Sequence, residues 1–127
     1  MKRILIIEDD KIYRETLIDI LENEEWEILA AENGTDGLKL QFNTPFDLVI
    51  TDILMPDKDG IEVILEIRNF FPDTKILAMT GGGYMEADSI LEMAEILGVN
   101  KVLKKPAAIS QIIDAVYELI NNHEISK

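Results

Sequence analysis

Short runs of apolar residues alternate along this chain with segments in which apolar residues recur at helical spacing. The first run covers residues 4–7 and is continuous, which is typical of a strand buried on both faces of a sheet. Further strands are predicted at residues 26–30, 46–51, 75–79 and 101–103. Helices are predicted from residue 12 to about Asn23 and at residues 35–42, 61–68, 86–97 and 109–120, with Gly98 closing the fourth.

This regular alternation of strands and helices, without a linker, a repeat or a low-complexity tract, predicts an α/β fold. The strands should form one parallel sheet that is doubly wound, with helices on both faces. In such sheets, ligands bind outside the carboxyl ends of the strands. The residues at the end of each strand are therefore the first candidates for a functional site.

Composition and charge narrow the class of protein. With 127 residues, 47% of them hydrophobic, the chain can form one compact domain, and global disorder is not expected. The absence of cysteine excludes disulfides, zinc–thiolate sites and thiol nucleophiles. No apolar stretch approaches a membrane span and the start does not resemble a signal peptide, so we expect a cytoplasmic protein without membrane contact. The net charge of −13 argues against direct nucleic acid binding and suits a cation or a basic partner.

Side chains that carry chemistry stand at the ends of four of the five predicted strands. Glu8 and Asp9 follow the first strand, and Asp52 ends the third. Thr80 ends the fourth strand, and Lys105 lies at the end of the fifth. Because parallel strands share one carboxyl edge, these residues are expected to converge.

The acidic residues have two interpretations. Glu8, Asp9 and Asp10 precede a helix, where acids commonly cap free N–H groups, and Asp10 is expected to have only that role. Bringing Asp52 close to Glu8 and Asp9 would cost about 1–4 kcal/mol per pair near a protein surface. Protonation of one acid would offset this cost, and a divalent cation would do so better at neutral pH. Oxygen-only ligands favour Mg²⁺, whereas Ca²⁺ is disfavoured because no loop of alternating acidic ligands is present.

Asp52 also has the chemistry of a nucleophile. A carboxylate can attack a phosphoryl group and form an acyl phosphate, which needs positive charge and donors around the phosphoryl oxygens. Mg²⁺ and Lys105 would supply the charge, and the Thr80 hydroxyl would supply a donor. Each residue alone has a simpler explanation as a solvated or turn residue, so the prediction depends on the combination. Glycines 81–83 lack the spacing of a P-loop, and no dinucleotide-binding glycine pattern follows the first strand.

In order and spacing, these residues resemble the receiver domain of response regulators in two-component signalling. The resemblance runs from about Lys2 to Asn121 and is carried by residues 4–10 and 47–60, by Thr80-Gly81 and by Lys105-Pro106. It implies a flavodoxin-like sheet with the strand order 2-1-3-4-5. It also implies a receiver domain over residues 1–122 and a short tail at 123–127 without an output domain, either as a stand-alone regulator or as a piece of a longer chain.

The resemblance implies a role for each candidate residue. Asp52 is similar to the phosphoacceptor, Thr80 to the switch hydroxyl and Lys105 to the lysine that pairs with the phosphoryl group. Glu8 and Asp9 match the acidic pair that positions Mg²⁺, with Asp52 and the backbone carbonyl of Leu54 as further ligands. The Lys105–Pro106 peptide bond is expected to be cis.

The implied function is signalling rather than enzymatic, because such a domain catalyses only its own phosphorylation and dephosphorylation. A sensor histidine kinase or a phosphotransfer protein is the expected phosphoryl donor. A downstream protein or an output domain is expected to contact the face formed by helix four, strand five and helix five.

The sequence departs from the family pattern at two positions and leaves two alternatives open. Val102 stands where the family's switch aromatic is usual, and Ala107 stands where an aromatic is common. Val102 lacks the ring that the usual threonine–aromatic coupling needs, and the alternative is a receiver-like interaction module that works without phosphorylation. An aspartyl-phosphate hydrolase is disfavoured, because the position of its second catalytic aspartate is Leu54.

Overall fold

The structure, a computed structural model, describes residues 1–23, 25–53, 60–81 and 87–121. Within these residues, strands and helices alternate along the chain. The strands are β1 (Lys2–Ile7), β2 (Trp26–Ala31), β3 (Leu48–Asp52), β4 (Lys75–Thr80) and β5 (Lys101–Lys104). The helices are α1 (Lys11–Leu21), α2 (Gly34–Asn43), α3 (Gly60–Phe70), α4 (Ala87–Leu97) and α5 (Ile109–Asn121).

The five strands form one parallel sheet in the order β2-β1-β3-β4-β5. This confirms the predicted α/β fold and its strand order. The chain passes from one side of β1 to the other, so β1 and β3 flank the point at which the strand order reverses. Because ligands of doubly wound sheets bind at this point, the residues at the carboxyl ends of β1 and β3 occupy the favoured place for a site.

Alternate residues of the central strands face two separate cores, as the pleat of a strand requires. One core lies between the sheet and helices α1 and α5, and its buried strand residues are Ile4, Ile6, Trp26, Leu48, Ile50, Leu77 and Met79. The second lies between the sheet and helices α2, α3 and α4, and its strand residues are Leu5, Ile7, Val49, Ile76 and Ala78. The continuous apolar run in β1 is therefore explained by burial on both faces, with at most 1% of each side chain exposed at residues 4–7.

Several predicted boundaries differ from the observed ones by one or two residues, and two of these differences have identifiable reasons. Strand β3 begins at Leu48 rather than at residue 46. The Phe46 N–H donates to the side chain of Gln41 (3.0 Å), and the Asp47 carboxylate accepts from the Arg3 N–H (2.8 Å). Phe46 is therefore held by a side chain, whereas the Asp47 backbone donates to the Arg3 carbonyl (2.9 Å) and accepts from the Lys75 N–H (3.0 Å), and the regular strand begins at the next residue.

Helix α1 ends at Leu21, two residues before the predicted end, because the backbone of Glu22 is extended. Ile12, the first apolar residue in the periodic pattern that predicts this helix, is 77% exposed. Helix α4 ends as predicted at Leu97, and Gly98 follows it with a φ of 78° that suits glycine. Residue 86, the predicted start of this helix, lies outside the described residues. Among the described helices, none is long and apolar enough to cross a bilayer.

Candidate functional site

Asp52 is held rigidly at the rim of the sheet. It is the last residue of β3, a strand that is buried along its whole length, and only 8% of Asp52 is exposed. The next residue continues the ladder, because the Ile53 N–H donates to the carbonyl of Met79 (2.9 Å). The carboxylate therefore projects from a fixed backbone rather than from a loose loop.

The start of α3 lies directly against this backbone. A Cβ atom on Gly60 would lie 1.9 Å from the carbonyl oxygen of Asp52 and 2.5 Å from that of Ile53. No side chain fits at that distance from backbone atoms, so the close approach of α3 to the end of β3 requires glycine.

The acids after β1 differ in their surroundings. Glu8 is buried, with 2% exposed, whereas Asp9 and Asp10 are exposed. The Glu8 carboxylate accepts from the Asp10 N–H (3.1 Å), and the Arg14 guanidinium donates to the Glu8 carbonyl (2.8 Å). The Asp10 side chain caps α1 by accepting from the Tyr13 N–H (3.1 Å), which confirms the role predicted for it.

Lys105 joins the two buried carboxylates. Its Nζ atom lies 2.9 Å from Oε1 of Glu8 and 2.9 Å from Oδ2 of Asp52. Its backbone N–H donates to the carbonyl of Thr80 (2.7 Å), which anchors the chain beyond β5 to the end of β4. The following peptide bond to Pro106 is cis, as expected.

Three carboxylates meet at this end of the sheet. One oxygen each from Glu8, Asp9 and Asp52 lies within 4.8 Å of the others, a group that could hold a metal ion. These oxygen ligands fit a hard divalent cation such as Mg²⁺, which takes few protein carboxylates and keeps several waters. Leu54, whose carbonyl was predicted as a further ligand, lies outside the described residues.

Burial sets the electrostatics of the site. Desolvation raises the pKa of Asp52 although Lys105 opposes the shift, and the charge of Asp9 adds to the rise. Desolvation likewise raises the pKa of Glu8 against the effect of Lys105. Desolvation works to lower the pKa of Lys105, but hydrogen bonds to Asp52 and Glu8 outweigh it and raise the pKa. Both buried carboxyl groups thus lie in surroundings that disfavour their charged forms, and a bound cation would relieve this.

Thr80 and Val102, the two residues expected to take part in switching, lie on the last two strands of the sheet. Thr80 ends β4 and is 5% exposed, and its register partner on β5 is Lys104. Val102 is paired with Ala78 and packs, half-buried, in the core of helices α2, α3 and α4. An aliphatic side chain therefore fills the place where the resemblance leads one to expect a ring.

Sequence reasoning missed one neighbour of the site, Tyr13. Its ring lies over the Lys105 ammonium, with Nζ 4.4 Å from the ring centroid. Its position in the sequence could have indicated this contact, because Tyr13 lies three residues after the capping Asp10, in the first turn of the helix that begins at the site. Apolar periodicity alone assigns such a residue to the core.

Comparisons of the sequence and of the fold with known proteins all indicate the same family. The sequence model of the response regulator receiver domain matches residues 4–117. A response regulator receiver protein of Anaeromyxobacter sp. (strain Fw109-5) is 37% identical over 114 residues, 90% of this chain but 47% of that protein. The response regulator receiver protein CpdR of Brucella abortus (strain 2308) is 32% identical over 120 residues, 94% of this chain and 98% of that protein. The solved CheY-like receiver domain protein of Methanospirillum hungatei JF-1 is similar with a TM-score of 0.88 and 27% identity, covering 100% of this chain and 99% of that one.

Proposed function

This chain belongs to the response regulator receiver domain family, and on that premise we propose that Asp52 accepts a phosphoryl group in a Mg²⁺-dependent reaction. One observation carries the proposal. The buried Asp52 carboxylate lies 2.9 Å from the Lys105 ammonium, and oxygens of Glu8 and Asp9 lie within 4.8 Å of it. A nucleophile, a fixed positive charge and a cation-binding group therefore share one rim of the sheet.

In the proposed reaction, a carboxylate oxygen of Asp52 attacks phosphorus and forms a new P–O bond. The bond to the donor breaks, which is P–N for a phosphohistidine or P–O for acetyl phosphate. The leaving group keeps the bonding electron pair, and an imidazole leaving group takes up a proton. Lys105 faces the negative charge that gathers on the phosphoryl oxygens, which is the main requirement of phosphoryl transfer.

The proposed ligands for Mg²⁺ are the carboxylates of Glu8, Asp9 and Asp52 and the backbone carbonyl of Leu54. When bound, the ion supplies positive charge that neutralises phosphoryl oxygens. The chain holds the three acids close together at an energetic cost that a cation relieves. It also buries Glu8, of which 2% is exposed.

Receiver domains are signalling domains that act with histidine kinases and output domains, so we propose a cytoplasmic role for this one. The proposed donor is a sensor histidine kinase or a phosphotransfer protein. After phosphorylation, the Thr80 hydroxyl and Lys105 bind the phosphoryl oxygens. This binding alters the face formed by α4, β5 and α5. The altered face contacts a downstream protein or an output domain. The proposed domain covers residues 1–122, with 123–127 as a tail.

The test is incubation with acetyl phosphate and Mg²⁺, followed by intact-mass measurement. We expect a gain of about 80 Da in the wild type that is lost in alkali, and no gain in Asp52→Asn. An equal gain in both proteins would contradict the assignment of Asp52. No gain in the wild type with acetyl phosphate or with a phosphorylated kinase would favour the alternative, an interaction module that works without phosphate, for which Val102 is the one supporting feature.

A further inference from the structure

The ring of Tyr13 covers the same ammonium group that contacts both buried carboxylates. The 4.4 Å between Lys105 Nζ and the ring centroid lies within the range in which the negative face of an aromatic ring attracts a cation. Glu8 and Asp52 hold this Nζ atom through contacts of 2.9 Å each. The lysine head group is therefore confined by two carboxylates and by one ring.

Tyr13 is itself well anchored. Its backbone N–H donates to the capping carboxylate of Asp10 (3.1 Å), and its side chain packs against the core of α1 and α5, which Ala107 also contacts. The Tyr13 hydroxyl is buried, and among the described residues no group forms a hydrogen bond of good geometry with it. Burial raises the pKa of the phenol, and the nearby N–H of Ala107 offsets only part of that rise.

Among the described residues the hydroxyl forms no hydrogen bond of good geometry and has only the nearby Ala107 N–H beside it, so the hydroxyl does not account for a tyrosine at this position. The ring does, since it lies on the cation. Nor does Tyr13 replace the ring that is missing at Val102, because the two residues pack in different cores on opposite faces of the sheet. Tyr13 acts on the site through Lys105.

We propose that Tyr13 is a positioning residue for Lys105 in the phosphorylation of Asp52, an inference that rests on the proposed function. Lysine has a long, flexible stem, and without the ring its ammonium can leave Asp52 for solvent. The ring restricts that motion and keeps the positive charge where the phosphoryl oxygens arrive. Removal of the ring should therefore slow phosphorylation, whereas removal of the hydroxyl alone should not.

The experiment compares Tyr13→Leu, which removes the ring but keeps an apolar side chain, with Tyr13→Phe, which keeps the ring. Tyr117→Leu is the matched control, because Tyr117 lies in helix α5 and its ring packs on that of Trp26, with the centroids 5.0 Å apart. Rates of phosphorylation by acetyl phosphate are measured at saturating Mg²⁺. We expect Tyr13→Leu to be about fivefold slower, while Tyr13→Phe and Tyr117→Leu stay within about twofold of the wild type.

A second readout does not depend on phosphorylation. The ¹⁵N and ¹H resonances of the Lys105 ammonium are recorded without divalent cations, where the ring current of Tyr13 should displace them. We expect the displacement to persist in Tyr13→Phe and to vanish in Tyr13→Leu. If Tyr13→Leu melts far below Tyr117→Leu, Tyr13→Met replaces it in both assays.

The outcomes separate this inference from the proposed function. A wild-type rate in the folded ring-less variant, or a Tyr13→Phe variant as slow as Tyr13→Leu, overturns the positioning role and leaves Asp52 as the acceptor. A wild type that takes up no phosphate overturns the proposed function. In that case the Lys105 resonances alone decide the inference, and unchanged resonances in Tyr13→Leu would overturn it.

Discussion

The Nζ atom of Lys105 lies 2.9 Å from Oδ2 of Asp52, although the two residues are 53 positions apart in the chain. The same Nζ atom contacts Glu8, so one ammonium group faces two buried carboxylates. When both carboxyl groups are ionised, this single positive charge faces two negative charges. The stability of the fold and the function proposed for the site therefore depend on the same balance of charge.

Replacement of Lys105 by methionine should destabilise the fold at neutral pH by about 2–4 kcal/mol, because two buried carboxylates lose their shared cation. Addition of Asp52→Asn should restore part of the loss. Urea denaturation without divalent cations measures both effects. The control is Lys101→Met, which breaks an exposed ion pair with Glu118 (3.2 Å) and should cost less than about 1 kcal/mol. Equal losses in Lys105→Met and Lys101→Met would contradict this account.

The difference in stability between Asp52→Asn and the wild type should depend on pH, because Asp52 can be titrated and asparagine cannot. Because burial raises the pKa of Asp52, the folded state binds this proton more tightly than the unfolded state. The stabilisation from Asp52 is thus present below the ordinary aspartate pKa and is lost as pH rises through the raised value. Without divalent cations, we expect Asp52→Asn to be more stable than the wild type at about pH 7, with an advantage that shrinks towards the acid range.

Urea denaturation of both proteins from neutral to acidic pH checks this dependence. Asp73→Asn, at an exposed aspartate, controls for the loss of one negative charge and should show no such trend. If the extra stability of Asp52→Asn over the wild type grew as the pH fell, the result would contradict a raised pKa of Asp52.

Substitution of Gly60 by alanine should lower stability by about 3 kcal/mol, because its Cβ would lie 1.9 Å from the Asp52 carbonyl oxygen. Backbone atoms cannot yield as a flexible side chain can, so α3 must shift away from the end of β3. Gly81→Ala is the matched control, since apart from the adjoining residues no atom of the described part of the chain lies within 4 Å of the Cβ position there. It should change stability by less than about 0.5 kcal/mol. Thermal melts of the two variants compare them directly, and similar melting temperatures would refute the close approach at Gly60.

Phosphorylation should change amide exchange over residues 80–98, because the Thr80 hydroxyl is proposed to move onto the phosphoryl group. Hydrogen–deuterium exchange before and after acetyl phosphate treatment measures this change. Thr80→Ala should still be phosphorylated but should lose most of the change in exchange. If exchange in this segment stays the same in the phosphorylated wild type, the switch does not run through Thr80.

The sequence was sufficient to predict the sheet, and residues of β1 and β3 show why. Their side chains are buried on both faces, so the runs are continuous, and the alternation with helical periodicity leaves few other arrangements. The end-of-strand positions of Glu8 and Asp52 followed from the parallel order alone. The family resemblance supplied the strand order and the expectation of a cis bond before Pro106.

Contacts between side chains and distant backbone groups could not be predicted in this way. Gln41 is fully buried, donates to the Thr74 hydroxyl (3.1 Å) and accepts from the Phe46 N–H (3.0 Å), while Thr74 donates to the Phe46 carbonyl (3.0 Å). This network surrounds the residue two positions before β3, and it has no periodic signature in the sequence. The position of Tyr13 over Lys105 is of the same kind, because it joins residues that only the folded chain brings together.

The claim that Asp52 is the phosphoacceptor is tested most directly by identifying the phosphorylated residue in the chain. The protein is treated with acetyl phosphate and Mg²⁺, the acyl phosphate is reduced with borohydride, and the peptides are sequenced by mass spectrometry. We predict that residue 52 is converted to homoserine only when both phosphodonor and Mg²⁺ are present, while Glu8 and Asp9 remain unchanged. Conversion of another carboxylate, or an unmodified Asp52 in protein that has gained phosphate, would contradict the account.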